Sequence, residues 1–287
     1  MDIVAAPSRS SRIRSGIMTS VTGGRPFSQY LELIRELAIT QFKLKYTGSL
    51  LGYVWSLAKP LMMFGIMYFV FARLLKIGAG VQDFPLQLLL AIVLYTFFSE
   101  ATSGSVSAIV SNGGLIQRAS FPRSVLIIAT SMTALMTFLI NTSLIIIIAA
   151  AGGAIHLGLR SLWAIPLLLE LYVIIIGASL ILSSLFVFYR DVGHIWEVIS
   201  LIIMYASAIM YPVTYISHLH HFGTILSLNP ILQIIEDMRH ALITPTVPWT
   251  ASITGHLFFV PYLLSVLLLV VGIFVFSKMS PHFAENV

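Results

Sequence analysis

Four ionisable side chains stand inside long apolar stretches: Lys59, Glu100, Glu170 and Glu197. A charge in hydrocarbon is expensive, so each marks a pathway or a buried pair unless it snorkels to an interface. Lys59 precedes Pro60; either its helix kinks there, or the helix begins at Pro60 and leaves Lys59 interfacial. Four scattered groups are too few for a chain of proton-relaying acids, which argues against proton coupling. His218, His220 and His221 crowd one segment. Their i, i+2, i+3 spacing does not bring all three to one helical face, which favours an interfacial cluster over a zinc or nickel site. The lysines are Lys43, Lys45, Lys59, Lys76 and Lys278, and glycine precedes none of them. The phosphate-binding loop G-x-x-x-x-G-K-[ST] is therefore excluded. With no paired acids at the D-D-x-x-D spacing and no Ser/His/Asp order, no catalytic residue, metal or cofactor is expected in this chain.

Aromatic residues are the other chemical signal. Tyr53, Trp55, Phe64, Tyr68, Phe69 and Phe71 crowd one apolar segment, and Tyr205, Tyr211 and Tyr215 end another. An interfacial belt suits Tyr53 and Trp55 but explains the deeper Phe64, Tyr68 and Phe69 less well. The other reading is a path for sugar rings, whose apolar faces stack on aromatic faces and slide along them. Phe64 and Tyr68 share a helical face, with Phe69 about 100° round. The Tyr68 face is the one expected to line a path, since a buried phenol needs a polar partner; Phe69 is then left to packing.

The elements that must position these residues are apolar. Of 287 residues, 58% are hydrophobic and 9% charged, against roughly a quarter charged in a soluble domain. Mean hydropathy is +0.96. A soluble surface needs far more charge, so an all-α integral membrane protein is expected. Cysteine is absent, which excludes disulfides, iron–sulfur clusters and thiolate chemistry. The formal net charge of +5 comes without a dense basic stripe, so no nucleic-acid partner is expected. Six continuously apolar segments, at 50–75, 86–110, 125–151, 163–189, 191–211 and 257–276, each approach the roughly 20 residues of a helical crossing. A barrel would show shorter, alternating strands.

Around these spans the chain divides into 1–26, a flexible cytoplasmic tail; 27–46, an amphipathic interface helix; 50–276, the six-helix transmembrane domain; and 277–287, a cytoplasmic C-terminal tail. The first is Arg- and Ser-rich without an apolar core, which reads as neither a secretory signal nor, by preference, a transit peptide. In 27–46, Tyr30 or Leu31, Ile34, Ala38 and Phe42 form a stripe, with Glu32, Arg35, Glu36, Lys43 and Lys45 largely off it. Such a helix lies on the membrane, packs on a partner, or does both. Six crossings place both termini on one side. That side holds eleven Lys and Arg residues, against four (Arg73, Lys76, Arg160, Arg239) on the other, so it is the cytoplasmic side.

Pro212 should stop the fifth helix at Tyr211. The 45 residues 212–256 then precede the sixth, too many for a structureless loop. Asn229-Pro230 reads as an N-cap and first-turn proline. Ile231, Ile234, Ile235, Met238 and Leu242 follow on an apolar face, and Gln233, Glu236, Asp237 and Arg239 on a polar one. With the apolar run Phe222–Leu228, this is an outer re-entrant or interfacial helical hairpin. At depth it needs protein or a water-filled cavity to cover it. On the inner side, Ser111–Arg123 separates the second and third helices. Asn112, Gly113 and Gly114 break the first, and Leu115–Ser120 forms a short helical turn that either docks a partner or is a plain turn.

Four stretches together carry a family resemblance: Leu51-Gly52-Tyr53-Val54-Trp55 with Pro60, Asn112–Arg123, Tyr189-Arg190-Asp191-Val192 and Tyr211-Pro212-Val213. With the closing Phe283-Ala284-Glu285, the chain resembles the permease subunits of bacterial polysaccharide ABC exporters, of the O-antigen, teichoic acid, capsule and cell-wall galactan type. The resemblance spans about residues 28–285. It implies a homodimer with two copies of a separate ATP-binding cassette subunit, which would hold the ATP and magnesium. The substrate it implies is a glycan on a polyprenyl (pyro)phosphate. Its first and fifth helices line the conduit, which maps the substrate path onto Lys59, Phe64, Tyr68, Phe69, Tyr205 and Tyr211. The interface helix and inner loop meet the ATPase, through Arg35, Leu115, Arg118, Phe121 and Arg123. The hairpin, 216–245, forms an outer gate, with Asn229, Pro230, Ile234 and Met238. A drug or lipid permease of the same architecture is the nearest alternative. A membrane enzyme acting on polyprenyl phosphates is one from another class, although the eleven acids are too scattered to favour it.

Overall fold

The computed structural model describes residues 27–47, 52–118, 121–151, 158–213 and 220–286. The expected tail 1–26, and with it Leu51, Tyr215 and His218, lies outside them. Helix α1 (Phe27–Tyr46) leads to α2, which is α-helical over Val54–Met67 and π-helical over Tyr68–Leu74. After α3 (Phe84–Val106) come two short helices, α4 (Ala108–Ser111) and α5 (Gly113–Arg118), and then α6 (Ser124–Ala151). A 3-10 turn, Leu159–Trp163, opens α7 (Ala164–Phe188). Next are α8 (Val192–Ala206), α9 (His220–Ser227), α10 (Pro230–Leu242) and α11 (Thr250–Thr254). Helices α12 (Val260–Met279) and α13 (Phe283–Asn286) are the last of the described elements.

Among the described residues, five helical stretches are long and apolar enough to cross a membrane: Val54–Leu74, Phe84–Val106, Ser124–Ile148, Leu159–Phe188 and Val260–His282. The expected fifth segment, 191–211, differs. Its helix, α8, has 15 residues, about 22 Å at 1.5 Å per residue, whereas a hydrocarbon core is about 30 Å thick. It ends at Ala206, well before Pro212, because Ala208 turns into the left-handed region with φ 50°. Proline restricts the preceding residue, which sets the expected stop at Tyr211, but its ring also excludes a helical bond to the carbonyl four residues back, that of Ala208, where the chain has already left the helix.

Helix α3 forms the centre. Its apolar residues are buried on most sides, and one stripe, Thr96, Ser99, Glu100 and Ser103 at three- and four-residue spacing, is left less covered. Helices α6 and α7 pack against it, and α12 packs against α7. That last pair touches backbone to backbone: a Cβ on Gly272 would lie 2.5 Å from the Gly177 carbonyl oxygen. Small residues that admit this approach are how apolar helices associate where burial alone offers no drive. Helix α2 lies at the rim, with Met62, Ile66 and Phe69 exposed. At the other end, the C-terminal segment folds back onto the bundle. Phe283 is fully buried among Ile109, Ile127, Leu180 and Val187, and the Arg123 guanidinium lies 5.8 Å above its ring.

Candidate functional site

A cavity of about 900 Å³ opens between the end of α1, the first turns of α2, and parts of α3, α6 and α8. It gathers three of the four ionisable residues that stand in apolar sequence: Lys59, Glu100 and Glu197. The fourth, Glu170, sits on α7 and accepts a hydrogen bond from Ser265 Oγ at 3.1 Å. Helix α2 starts at Val54 and runs through Pro60, so Lys59 lies in its second turn and is exposed to the cavity. Lys59 has no ion-pair partner among the described residues, whereas Lys45 of α1 pairs with Glu100 of α3. Thr137 of α6 also donates to Glu100, at 3.3 Å. Deeper, Tyr95 hydrogen-bonds Ser200 of α8, and Asn141, nearly fully buried, leaves its Oδ1 without a partner. The largely apolar pocket thus gathers several hydroxyls, two carboxylates and, among the described residues, one lysine without an ion-pair partner, so a hydroxyl-rich or anionic group would find donors there.

Of the expected path residues, Lys59 alone lines this cavity. Phe64 and Tyr68 do share a face: their rings stack at 5.7 Å and pack partly against the core. Arg73 lies 5.7 Å above the Tyr68 ring. Phe69, expected to pack, turns outward and is 59% exposed. Tyr68 opens the π-helical stretch, a rare geometry that recurs at functional sites. Tyr205 is 54% exposed. Tyr211 donates its hydroxyl to the Tyr205 carbonyl at 2.7 Å, which makes it a helix-end cap as well as a path candidate. Tyr53, read as part of a belt, stacks on Phe42 and touches Tyr46, fastening α1 to α2.

The inner loop is helical over α4 and α5. The helix breaks at Asn112, and the two glycines open α5, where a terminal position makes their conformational freedom less costly than in a helix interior. Leu115 is exposed, Phe121 is half-buried, and Arg35 points to solvent from α1. Arg118 ends α5. Arg123 is engaged with Phe283.

On the hairpin, Asn229 caps α10 as expected, its Oδ1 accepting from Ile231 N at 3.0 Å, with Pro230 in the first turn. Ile234 and Met238 are buried in the core. The polar face is buried too: Gln233, Glu236, Asp237 and Arg239 are each no more than 2% exposed. Gln233 Nε2 donates to Asp237 Oδ2 at 2.8 Å, and Asp237 Oδ1 accepts from Thr250 N at 2.8 Å. Burial pushes the Glu236 carboxyl above the usual carboxylate range, and the Arg239 guanidinium beside it pulls the other way. The i, i+3 and i, i+4 spacings within this set were the available signal that the face is paired within the protein. His218 lies outside the described residues, so the histidine cluster gains no geometry.

Residues 32–243, most of the chain and including every span but the last, match the family described as ABC-2 type transporter. The chain belongs to that family. ABC-2 membership makes it a membrane transport subunit and implies an ATP-binding cassette partner. It is also similar along nearly its whole length to individual permeases. An O-antigen export system permease protein RfbA of Klebsiella pneumoniae is 26% identical over 255 residues, 88% of this chain and 94% of that protein. A protein of the same name from Myxococcus xanthus is 23% identical over 263 residues, 92% of this chain and 98% of that protein. The ABC-2 match covers most of α1, the cavity and the hairpin helix together.

Proposed function

We propose that the chain is the permease subunit of an ATP-driven exporter that moves a polysaccharide, linked to a polyprenyl (pyro)phosphate, across the bacterial cytoplasmic membrane. The observation that carries this reading is the end-to-end similarity to O-antigen export permeases. The subunit acts as a homodimer with two ATP-binding cassette subunits, which hold the ATP and magnesium. Six crossings are completed when α8 is joined to the non-helical stretch 207–213, and both termini lie in the cytoplasm. Arg239, one of the four basic residues assigned to the outer side, is buried, so the positive charge available to set orientation leans further inward. Residues 27–46 lie at the inner surface, and 50–276 form the transmembrane domain. The path runs past Lys59, where the carrier phosphate meets the free cation, and along Phe64, Tyr68, Phe69, Tyr205 and Tyr211. Phe69 and Tyr205, exposed on one protomer, would face it from each subunit. Arg35, Leu115, Arg118, Phe121 and Arg123 contact the ATPase. Asn229, Pro230, Ile234 and Met238 belong to the outer gate.

Deleting the gene in its host tests the substrate. Surface polysaccharide should disappear while lipid-linked glycan accumulates inside, measured by immunoblot of intact and lysed cells. Normal surface glycan would favour the drug or lipid permease. Loss of glycan on both sides would favour a biosynthetic enzyme.

Phe121→Asp is expected to uncouple the ATPase. A charge there breaks an apolar anchor, and such anchors carry about 2 kcal/mol or more of an interface. Co-purification with the ATPase should fall roughly thirtyfold in apparent affinity at unchanged membrane level. Full association and export would mean the loop is a plain turn.

A further inference from the structure

The end of α8 is held in an unusual way. A helix that stops leaves its last carbonyls without intrahelical donors, and in an apolar setting each orphan is costly. Here side chains supply the donors. Ser207 Oγ donates to the Ile203 carbonyl at 2.7 Å, and Tyr211 to that of Tyr205 at 2.7 Å. Asn229 Nδ2, from the hairpin, reaches the Ala206 carbonyl at 3.4 Å. Beyond the helix, Arg239 takes over. Its Nη1 donates to the Ala208 carbonyl at 3.1 Å and its Nη2 to that of Ile209 at 2.9 Å. Its Nε reaches the Gln87 carbonyl on α3 at 3.3 Å. Glu236 balances the charge through a bond from Nη1 at 2.5 Å. The guanidinium is 1% exposed.

One planar fork therefore joins three parts of the chain: the hairpin helix α10, the break after α8 and the start of α3. A lysine offers a single centre and cannot make this set of bonds. The break also takes a left-handed residue, Ala208, whose backbone needs outside contacts to persist. We propose that Arg239 is a positioning residue of the outer exit, locking residues 207–210 to α10 and α3 so that the end of α8 and the hairpin move as one gate. The inference rests on the reading of the hairpin as the outer gate.

The natural sequence has no cysteine, so Ile209→Cys places a single thiol beside the fork, at a position 1% exposed. The test uses the full transporter, permease with its ATPase, in intact cells and in inverted vesicles. The probe is a membrane-impermeant maleimide. With Arg239 present, the thiol should label slowly from either side. Adding Arg239→Lys should raise labelling from outside about tenfold, the signature of a lost local protection, at the wild-type level of assembled complex. The pair Glu236→Leu with Arg239→Leu removes both charges, leaves no lone buried ion, and should do the same. Unchanged labelling in assembled Arg239→Lys protein overturns the proposal, whether or not the double variant assembles. Labelling from the cytoplasmic side alone would overturn the outer-gate reading itself. Labelling requires no glycan, so a wrong substrate assignment leaves this outcome unchanged.

Discussion

Gly272→Val is expected to leave almost no folded protein in the membrane, and Gly272→Ala to lose most of it. A Cβ at 272 would lie 2.5 Å from the Gly177 carbonyl oxygen and 3.0 Å from its Cα. The reciprocal substitution at Gly177 would meet the Leu269 nitrogen at 2.7 Å and the Leu268 carbonyl carbon at 2.8 Å. Every one of these neighbours is backbone, so no rotamer change relieves the clash and α7 must part from α12. Overpacking where side chains can yield costs about 1–3 kcal/mol. Here the cost should reach about 3 kcal/mol or more, a large share of the roughly 5–15 kcal/mol of a folded domain. Gly65→Ala is the control, since nothing lies within 4 Å of its Cβ position. The measurement is the melting temperature and monodispersity of detergent-extracted protein. Equal stability of Gly272→Ala and Gly65→Ala would show that α7 and α12 do not meet in this way.

That contact was invisible in the sequence, because Gly177 and Gly272 are 95 positions apart and a glycine in an apolar run has no period to betray it. Features set by local chemistry were legible. Continuous apolar runs marked the five long spans, and Asn229-Pro230 marked the start of α10 through the N-cap bond it makes. The rarity of charge in those runs singled out Lys59, Glu100 and Glu197, which the fold brings to one cavity. Lys45, the partner of Glu100, reads from the sequence as part of a surface helix, because the pairing crosses 55 positions. At α10, amphipathicity left open whether protein or a water-filled cavity covers the polar face. It reports which residues share a face but not what covers that face, and here the cover is protein. Phe283 followed the same logic: one aromatic in a short polar tail says nothing of the apolar pocket that receives it.

Arg239→Leu is expected to be the most destabilising single change on the hairpin, worse than removing Glu236 and Arg239 together. Both side chains are 1% exposed. Losing the arginine leaves a carboxylate buried without its counter-ion, which typically costs about 3–5 kcal/mol. It also orphans the Ala208 and Ile209 carbonyls. Glu236→Leu also strands a buried charge, one that a guanidinium cannot shed by losing a proton; it is milder because the guanidinium keeps its donors on three backbone carbonyls, whereas Arg239→Leu loses the pair and those bonds together. The double variant orphans the carbonyls but strands no charge, so its melting temperature should fall between those of the two single variants. The pH dependence separates charge from packing. Burial already raises the Glu236 carboxyl, and Arg239 opposes the rise; without the arginine the carboxyl rises further. A carboxyl whose folded value exceeds its unfolded value gives stability below the unfolded value and loses it as pH climbs through the folded one. Arg239→Leu protein should therefore grow less stable from mildly acidic to mildly alkaline buffer, while the double variant lacks that added slope. If the two lose stability in parallel across that range, the damage in Arg239→Leu comes from the lost carbonyl contacts alone, and the buried ion pair is not what holds α10.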